Sequence, residues 1–132
     1  MSNQFSKHYT LCEARDLLPM VKVWLDRLFE IQLQLVETEP KLEELLKQGR
    51  DIGGSEVNLC VRLRLEFTDI LEEFQEADVQ IKDLEKGLID FPAWMEGREV
   101  FLCWHKGEED IGFWHEIDEG FEGRQKISPD FF

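Results

Sequence analysis

The chain has 132 residues, 42% of them hydrophobic and 33% charged, and its 29 acidic residues outnumber 15 basic ones to give a net charge of −14. This composition is that of one folded domain and argues against a disordered chain. The negative charge argues against binding to nucleic acids and to anionic membrane surfaces, because both would repel the chain.

The three cysteines, Cys12, Cys60 and Cys103, are far apart in sequence and odd in number. Without a closely spaced pair they predict neither a disulfide framework nor a zinc ribbon, and they are typical of a reducing compartment. The sequence also shows no signal peptide and no apolar segment of membrane-spanning length. We therefore expect a cytoplasmic protein that is not associated with a membrane.

Residues 10–77 are predicted to form a hairpin of two long helices. Thr10 and Glu13 have the spacing of a capping box at the start of the first helix. Pro19 predicts a bend, and Pro40 predicts either a kinked continuation or a separate short helix over residues 41–48. Apolar residues recur at helical spacing between these points: Ala14, Leu18, Val21, Leu25, Leu28 and Leu35.

The second helix contains one ambiguous segment, Val57 to Phe67. Its apolar residues alternate with polar ones, which is a strand pattern. The continuation from Asp69 to Ala77 has helical periodicity, and no turn signal separates the two segments. We therefore interpret the whole segment as helix, with a strand as the alternative.

An antiparallel β-meander is predicted for residues 78–117. Residues 79–82 show strand-like alternation, and strands are expected at 88–94, 98–104 and 111–117. Glu96-Gly97 provides a tight turn between the first and second of these strands. Pro92 predicts that its strand lies at an edge or contains a bulge. Residues 118–132 are expected to form an irregular tail, in which Phe131 and Phe132 dock on the body. The predicted fold is a single α+β domain, a long antiparallel helical hairpin followed by a small antiparallel β-meander.

The first helix carries more apolar surface than one partner helix would cover. Trp24 and Ile31 lie beside the main apolar stripe. Either the meander covers this surplus, or a second subunit does so in a four-helix bundle with two-fold symmetry. We favour a homodimer, which predicts that Trp24→Glu or Leu28→Glu gives monomers or unfolded chains.

The richest cluster of chemical groups lies between residues 101 and 116. Alternation along a strand puts Cys103 and His105 on one face and Trp104 on the other. If the hairpin register brings His105 and His115 together, these imidazoles with Glu108 or Glu116 and a Cys103 thiolate would suit zinc or another transition metal. The candidate metal ligands are therefore His115, Glu108, His105 and Cys103.

Two other kinds of site use the same segment. Cys103 and His115 would form a nucleophilic pair if they met, although no third residue is evident to orient the histidine. Aromatic residues with Arg98 and Arg124 would line an anion-binding pocket, unless each arginine is paired with an acid such as Asp90 or Glu116. The candidate ligand-binding residues are Arg98, Trp104, Glu116 and Arg124.

Several segments resemble the bacterial family known as domain of unknown function 2203. The family implies no activity or cofactor, and it includes the Pro19 bend in its pattern. It more often has lysine at the position of His105, which leaves Glu108 and His115 as the stronger metal candidates. The matching segments are Tyr9 to Pro19, Val79 to Asp83, Gly87 to Ala93, Gly97 to Val100, Leu102 to Trp104, Gly107-Glu108, Trp114-His115 and Gly120 to Arg124.

No catalytic constellation or phosphate-binding loop is complete in the sequence. We therefore expect a non-enzymatic soluble interaction or assembly protein that dimerises through its helices and binds an unidentified protein partner. The alternative is a metal- or small-ligand-binding protein, including an enzyme, with its site on the C-terminal β-hairpin.

Overall fold

Two helices occupy most of the chain before residue 78, as the sequence predicts. The computed structural model describes residues 4–49 and 54–128. Helix α1 spans Leu11–Lys47 and continues through Pro40, so residues 41–47 are a continuation and not a separate helix. Helix α2 spans Gly54–Ala77, which confirms the helical interpretation of the ambiguous segment. The predicted capping box at Thr10 and Glu13 is present, with both of its hydrogen bonds formed.

The two helices run antiparallel. Arg27 near the middle of α1 pairs with Glu66, whereas Glu39 further along α1 pairs with Arg64, which is earlier in α2. Close to the sheet, the rings of Trp24 and Phe74 pack edge to face with their centroids 5.4 Å apart. None of the described helices is long and apolar enough to cross a membrane.

A five-stranded antiparallel sheet follows, with its strands side by side in chain order. The predicted turn at Glu96-Gly97 joins the second and third strands, and both residues have the positive φ that such a turn requires, 50° and 79°. The strands are β1 (Gln80–Asp83), β2 (Leu88–Met95), β3 (Arg98–His105), β4 (Phe113–Glu116) and β5 (Gln125–Lys126).

The sheet differs from the prediction in three places. β2 is not an edge strand, because it lies between β1 and β3. However, β1 pairs only with the first three residues of β2, so no strand of the sheet pairs with Pro92 on that side. The Pro92 carbonyl instead accepts the Tyr9 N–H at 2.7 Å. β4 is shorter than predicted, because Ile111 is buried within the preceding loop. The segment expected to be irregular contains a 3₁₀ helix, Phe121–Gly123, and β5. Phe131 and Phe132 lie outside the described residues.

One face of the sheet packs on the helices and forms the hydrophobic core. Ala14, Leu18, Val21, Leu25 and Leu28 of α1 meet apolar residues that alternate along β2 and β3. Trp24 packs against this core and Ile31 is completely buried, so the flank proposed as a dimer surface is covered within the chain. Leu28 is likewise a core residue, and Leu28→Glu would test folding before it tested assembly.

The opposite, outer face of the sheet is partly covered by an amino-terminal strap, residues 4–9. Phe5 packs edge to face on Phe101, with 5.3 Å between ring centroids. His8 stacks on Trp94 and hydrogen-bonds Glu99, so it is held against the sheet. The outer face also carries three polar side chains, Asp90, Cys103 and His115.

Candidate functional site

Strand register brings three potential ligands together on the outer face. Asp90 of β2 stands opposite Cys103 of β3, and His115 of β4 stands opposite Phe101, two residues from Cys103 on the same face. One ligand atom from each of Asp90, Cys103 and His115 lies within 4.8 Å of the other two. All three residues are only 2% exposed, so polar groups have been gathered where burial is costly.

The hydrogen bonds of His115 define what its ring can do. Nδ1 lies 2.8 Å from the Glu116 carbonyl oxygen, and Nε2 lies 3.0 Å from Oδ2 of Asp90. A carbonyl oxygen only accepts, so Nδ1 carries a hydrogen. Nε2 then meets a carboxylate oxygen, which is also an acceptor, and a proton or a cation must lie between them.

Without another cation, the proton is retained by the pair. Burial alone would lower the pKa of His115, but the hydrogen bond and negative charge of Asp90 outweigh burial and raise it above its ordinary value. The result is a buried imidazolium–carboxylate pair. Oδ1 of Asp90 is also buried and accepts no hydrogen bond from any described residue. That unpaired oxygen is costly unless the site binds something.

Cys103 is a thiol in this setting. Burial, and after it the charge of Asp90, raises the pKa of Cys103 to about 12. A thiolate is the nucleophilic form of cysteine, so the predicted nucleophilic pair with His115 is disfavoured. A metal ion would supply the positive charge that the thiolate lacks here.

The three residues form the floor of a cavity of about 170 Å³ on the outer face. Its rim is exposed and includes Lys82, Glu119 and Phe121. Glu119 lies very close to Gly123. A Cβ added at position 123 would be 2.0 Å from the Oε2 atom and 2.8 Å from the Cβ atom of Glu119. Glycine at position 123 therefore allows Glu119 its present place at the cavity.

The structure brings together two of the four predicted metal ligands, Cys103 and His115. His105 stands opposite Leu88 on β2 and packs against the Phe121 ring. It lies four residues along β3 from the position opposite His115, or about 13 Å at strand spacing. Glu108 receives hydrogen bonds from the His105 N–H and from Arg124. Neither His105 nor Glu108 belongs to the cluster.

The four predicted ligand-binding residues do not share a pocket. Trp104 is buried on the helix-facing side and donates its indole N–H to the Glu108 carbonyl at 2.9 Å. Arg98 forms an ion pair with Glu116, as the paired alternative anticipated. Arg124 lies over the Phe113 and Phe121 rings and pairs with Glu108 at 2.5 Å.

Asp90 is the site residue that the sequence suggested only as an ion-pair partner for an arginine, Arg98 or Arg124. Its signal was an acidic residue in the middle of an otherwise apolar strand, Leu88 to Trp94. An acidic residue in such a strand either faces solvent or is buried next to a polar or charged partner. Distinguishing the two required knowing which strands lie on each side of β2.

The comparisons with known proteins agree with the resemblance seen in the sequence. The family profile described as "Uncharacterized conserved protein (DUF2203)" matches residues 7–127. No curated protein and no solved structure matches the chain significantly. The matched region includes both helices, the five strands up to Lys126 and all three residues of the polar cluster. The chain therefore belongs to this family of uncharacterized conserved proteins.

Proposed function

We propose that this protein binds a divalent transition metal ion, with zinc the best suited, between Asp90, Cys103 and His115. The observation that carries the proposal is the buried carboxylate of Asp90, whose Oδ2 faces His115 Nε2 and whose Oδ1 accepts no hydrogen bond from any described residue. A cation bound to Nε2 and to both carboxylate oxygens would replace the shared proton and satisfy Oδ1 as well. Carboxylate, thiolate and imidazole together are a ligand set that zinc accepts.

The geometry requires little adjustment. Zinc bonds to nitrogen and oxygen of about 2.0–2.1 Å at a tetrahedral angle put the two ligand atoms about 3.3 Å apart. His115 Nε2 and Asp90 Oδ2 are 3.0 Å apart, so a separation of a few tenths of an ångström would admit the ion. The bond from Nδ1 to the Glu116 carbonyl fixes the tautomer with Nε2 free for the metal, as in other histidine metal ligands.

Charge balance also supports a divalent ion. A carboxylate and a thiolate together neutralise two positive charges, and a neutral imidazole adds none. The loaded site would thus be uncharged as a whole, which suits groups that are 2% exposed. A monovalent cation would leave a net negative charge in the same buried place.

Three protein ligands next to a cavity resemble a catalytic zinc site more than a structural one. Structural sites use four protein ligands, whereas catalytic sites keep one position for water or substrate. The fourth position here would face the cavity, where Glu119 is the acidic residue at the rim. We therefore place the exchangeable ligand on that side.

Elemental analysis tests the proposal, using tag-free protein purified without chelator and then titrated with zinc against a competing indicator. We expect about one zinc per chain, and we expect His115→Ala and Asp90→Asn to weaken binding at least about a hundredfold. His105→Ala is the matched control, because it removes an imidazole from the same face but outside the cluster. Circular dichroism establishes that each variant is folded.

Cobalt reports separately on the sulfur ligand. Co²⁺ bound by a thiolate shows a sulfur-to-metal charge-transfer absorption, which should be absent from Cys103→Ser. Wild-type protein that takes up no zinc at micromolar concentration would contradict the proposal. So would folded His115→Ala that retains zinc as well as His105→Ala does; the Asp90–His115 pair would then be a buried ion pair alone.

A further inference from the structure

Within residues 4–49 and 54–128, no further layer packs against the distal half of the helical hairpin. We define the helical arm as residues 31–47 of α1 and 54–66 of α2. The α1 residues in the core cluster extend no further than Leu28, and in the arm only Ile31, Cys60 and Leu63 are buried. The arm is about a quarter of the described residues, yet it contains seven of the eleven large apolar side chains that are exposed among them.

Helix α2 is apolar on two opposite sides within the arm. Val57, Val61 and Leu65 are spaced four residues apart and form one row. The other row contains Leu59, Leu63 and Phe67, and it lies about 200° around the helix at 3.6 residues per turn. In that row Leu63 is buried and Phe67 packs against the core, although Leu59 near the start of the helix is 36% exposed. In the first row Val61 is 49% and Leu65 60% exposed. The alternating pattern that resembles a strand therefore arises from two apolar rows on opposite sides of a helix. The row formed by Val57, Val61 and Leu65 is exposed.

We propose that the exposed row of α2 packs against the same row of a second copy of this chain. A helix that is apolar on opposite sides is normally covered on both. The row suits self-association, since an antiparallel pair of α2 helices centred on Val61 sets each Val57 against Leu65 of the other copy. A two-fold axis there brings four helices together, two from each chain.

Charge does not oppose a copy of the same chain at this surface. The chain as a whole has a net charge of −14, but the six acidic and four basic residues of the arm contribute only −2 of it. The apolar row itself includes no charged residue. Association through this row therefore brings little of the chain's negative charge together.

The size of the arm sets the size of the interface. The arm contains 17 residues of α1 and 13 of α2, so its helices are about 20–25 Å long, and two adjacent helices are about 20 Å wide. Their common face therefore covers about 400–500 Å² on each chain, or about 800–1,000 Å² in total, which is at the lower limit for a specific interface. Leu33 and Val36 of α1 are further exposed apolar residues of the arm.

Sedimentation or light scattering of the full chain tests the proposal. We expect wild-type protein to have twice the 15.6 kDa chain mass at micromolar concentration. Val61→Glu puts two carboxylates at the axis and should raise the dimer dissociation constant at least about a hundredfold. Val23→Glu is the control, because Val23 is an exposed valine of α1 outside the arm, and this variant should remain dimeric.

Cross-linking checks the position of the axis. In a Cys12→Ser background, which removes the exposed native thiol, Val61→Cys should oxidise to a disulfide between copies and Val23→Cys should not. Both glutamate variants substitute exposed positions, and thermal unfolding shows whether they remain folded. Wild-type protein that is monomeric, or a dimer that survives Val61→Glu, would overturn the proposal.

Discussion

Arg124 is predicted to act as a clamp on the end of the sheet and not as a ligand-binding group. Its guanidinium carbon lies 3.9 Å from the Phe113 ring centroid and 4.5 Å from that of Phe121. The same guanidinium pairs with Glu108 at 2.5 Å, and the two side chains are 9% and 24% exposed. Replacing Arg124 with alanine would remove these contacts together and leave the Glu108 carboxylate without its cation.

The magnitude follows from the contacts. A hydrogen bond to a charged group contributes about 1.5–3 kcal/mol, and cation–π contacts that are largely desolvated contribute about 1–2 kcal/mol. We therefore expect Arg124→Ala to lower the free energy of unfolding by about 3–4 kcal/mol. For a chain of 132 residues, this corresponds to a decrease in Tm of about 10–15 °C. Arg124→Lys keeps the charge but loses the planar stacking, and it should recover less than half of the loss.

A double-mutant cycle isolates the ion pair. Urea unfolding of wild type, Arg124→Ala, Glu108→Gln and the double variant, all in the presence of chelator, should give a coupling energy of about 1.5–2 kcal/mol. A coupling below about 0.5 kcal/mol would refute the assigned ion pair. Unchanged or increased stability of Arg124→Ala would refute the clamp and favour a binding role, since residues kept for binding often cost stability.

Two further predictions concern turns and pH. Gly87→Ala should lower the free energy of unfolding in urea by about 2 kcal/mol more than Gly97→Ala does. Both glycines have positive φ, so both substitutions strain the backbone. At Gly87 a new Cβ would also be 2.5 Å from the Lys106 Cβ, whereas at Gly97 it would meet no atom within 4 Å. Equal losses would contradict the steric explanation. Burial would raise the pKa of Glu99, but hydrogen bonds from the strap outweigh burial and lower that pKa. The ionised Glu99 therefore stabilises the docked strap at pH values above its unfolded-state pKa. This stabilisation is lost as the pH falls through the pKa of Glu99 in the folded protein. The protection factors of the Gln4 and Phe5 amides, which donate to Glu99, should therefore fall on acidification below about pH 4 after correction for the intrinsic exchange rate. In Glu99→Gln they should already be low at neutral pH, and strong protection in that variant would contradict the role of Glu99.

The elements that sequence predicts well are those determined by nearby residues. The Thr10–Glu13 capping box and the Glu96-Gly97 turn each depend on a few adjacent side chains, and both are present. The fold class followed from hydrophobic periodicity together with these capping and turn signals. β5 could not be predicted in the same way, because two residues carry no measurable alternation and Gln125 gains its strand conformation only by pairing with Trp114.

The polar cluster depended on information of another kind. Cys103 and His115 were recognised as chemically suitable, but their proximity required the register between β3 and β4, and Asp90 required the register between β2 and β3. A loop of several residues does not determine a register, so the spacing in sequence could not show whether His105 and His115 meet. In the structure His115 stands opposite Phe101, and His105 lies four residues further along β3, so the two histidines are far apart.

The same register gives the Glu96-Gly97 turn a role in the site. A two-residue turn with positive φ at both positions fixes the pairing of β2 with β3, so that Asp90 stands opposite Cys103. Because side chains alternate along a strand, a slip of one residue in β2 would move Asp90 to the helix-facing side and Ile89 to the outer face. That arrangement would bury a carboxylate in the core and is strongly disfavoured. The hydrophobic core and the polar cluster therefore select the same register, and the residues that stabilise the fold also hold the proposed metal ligands in place.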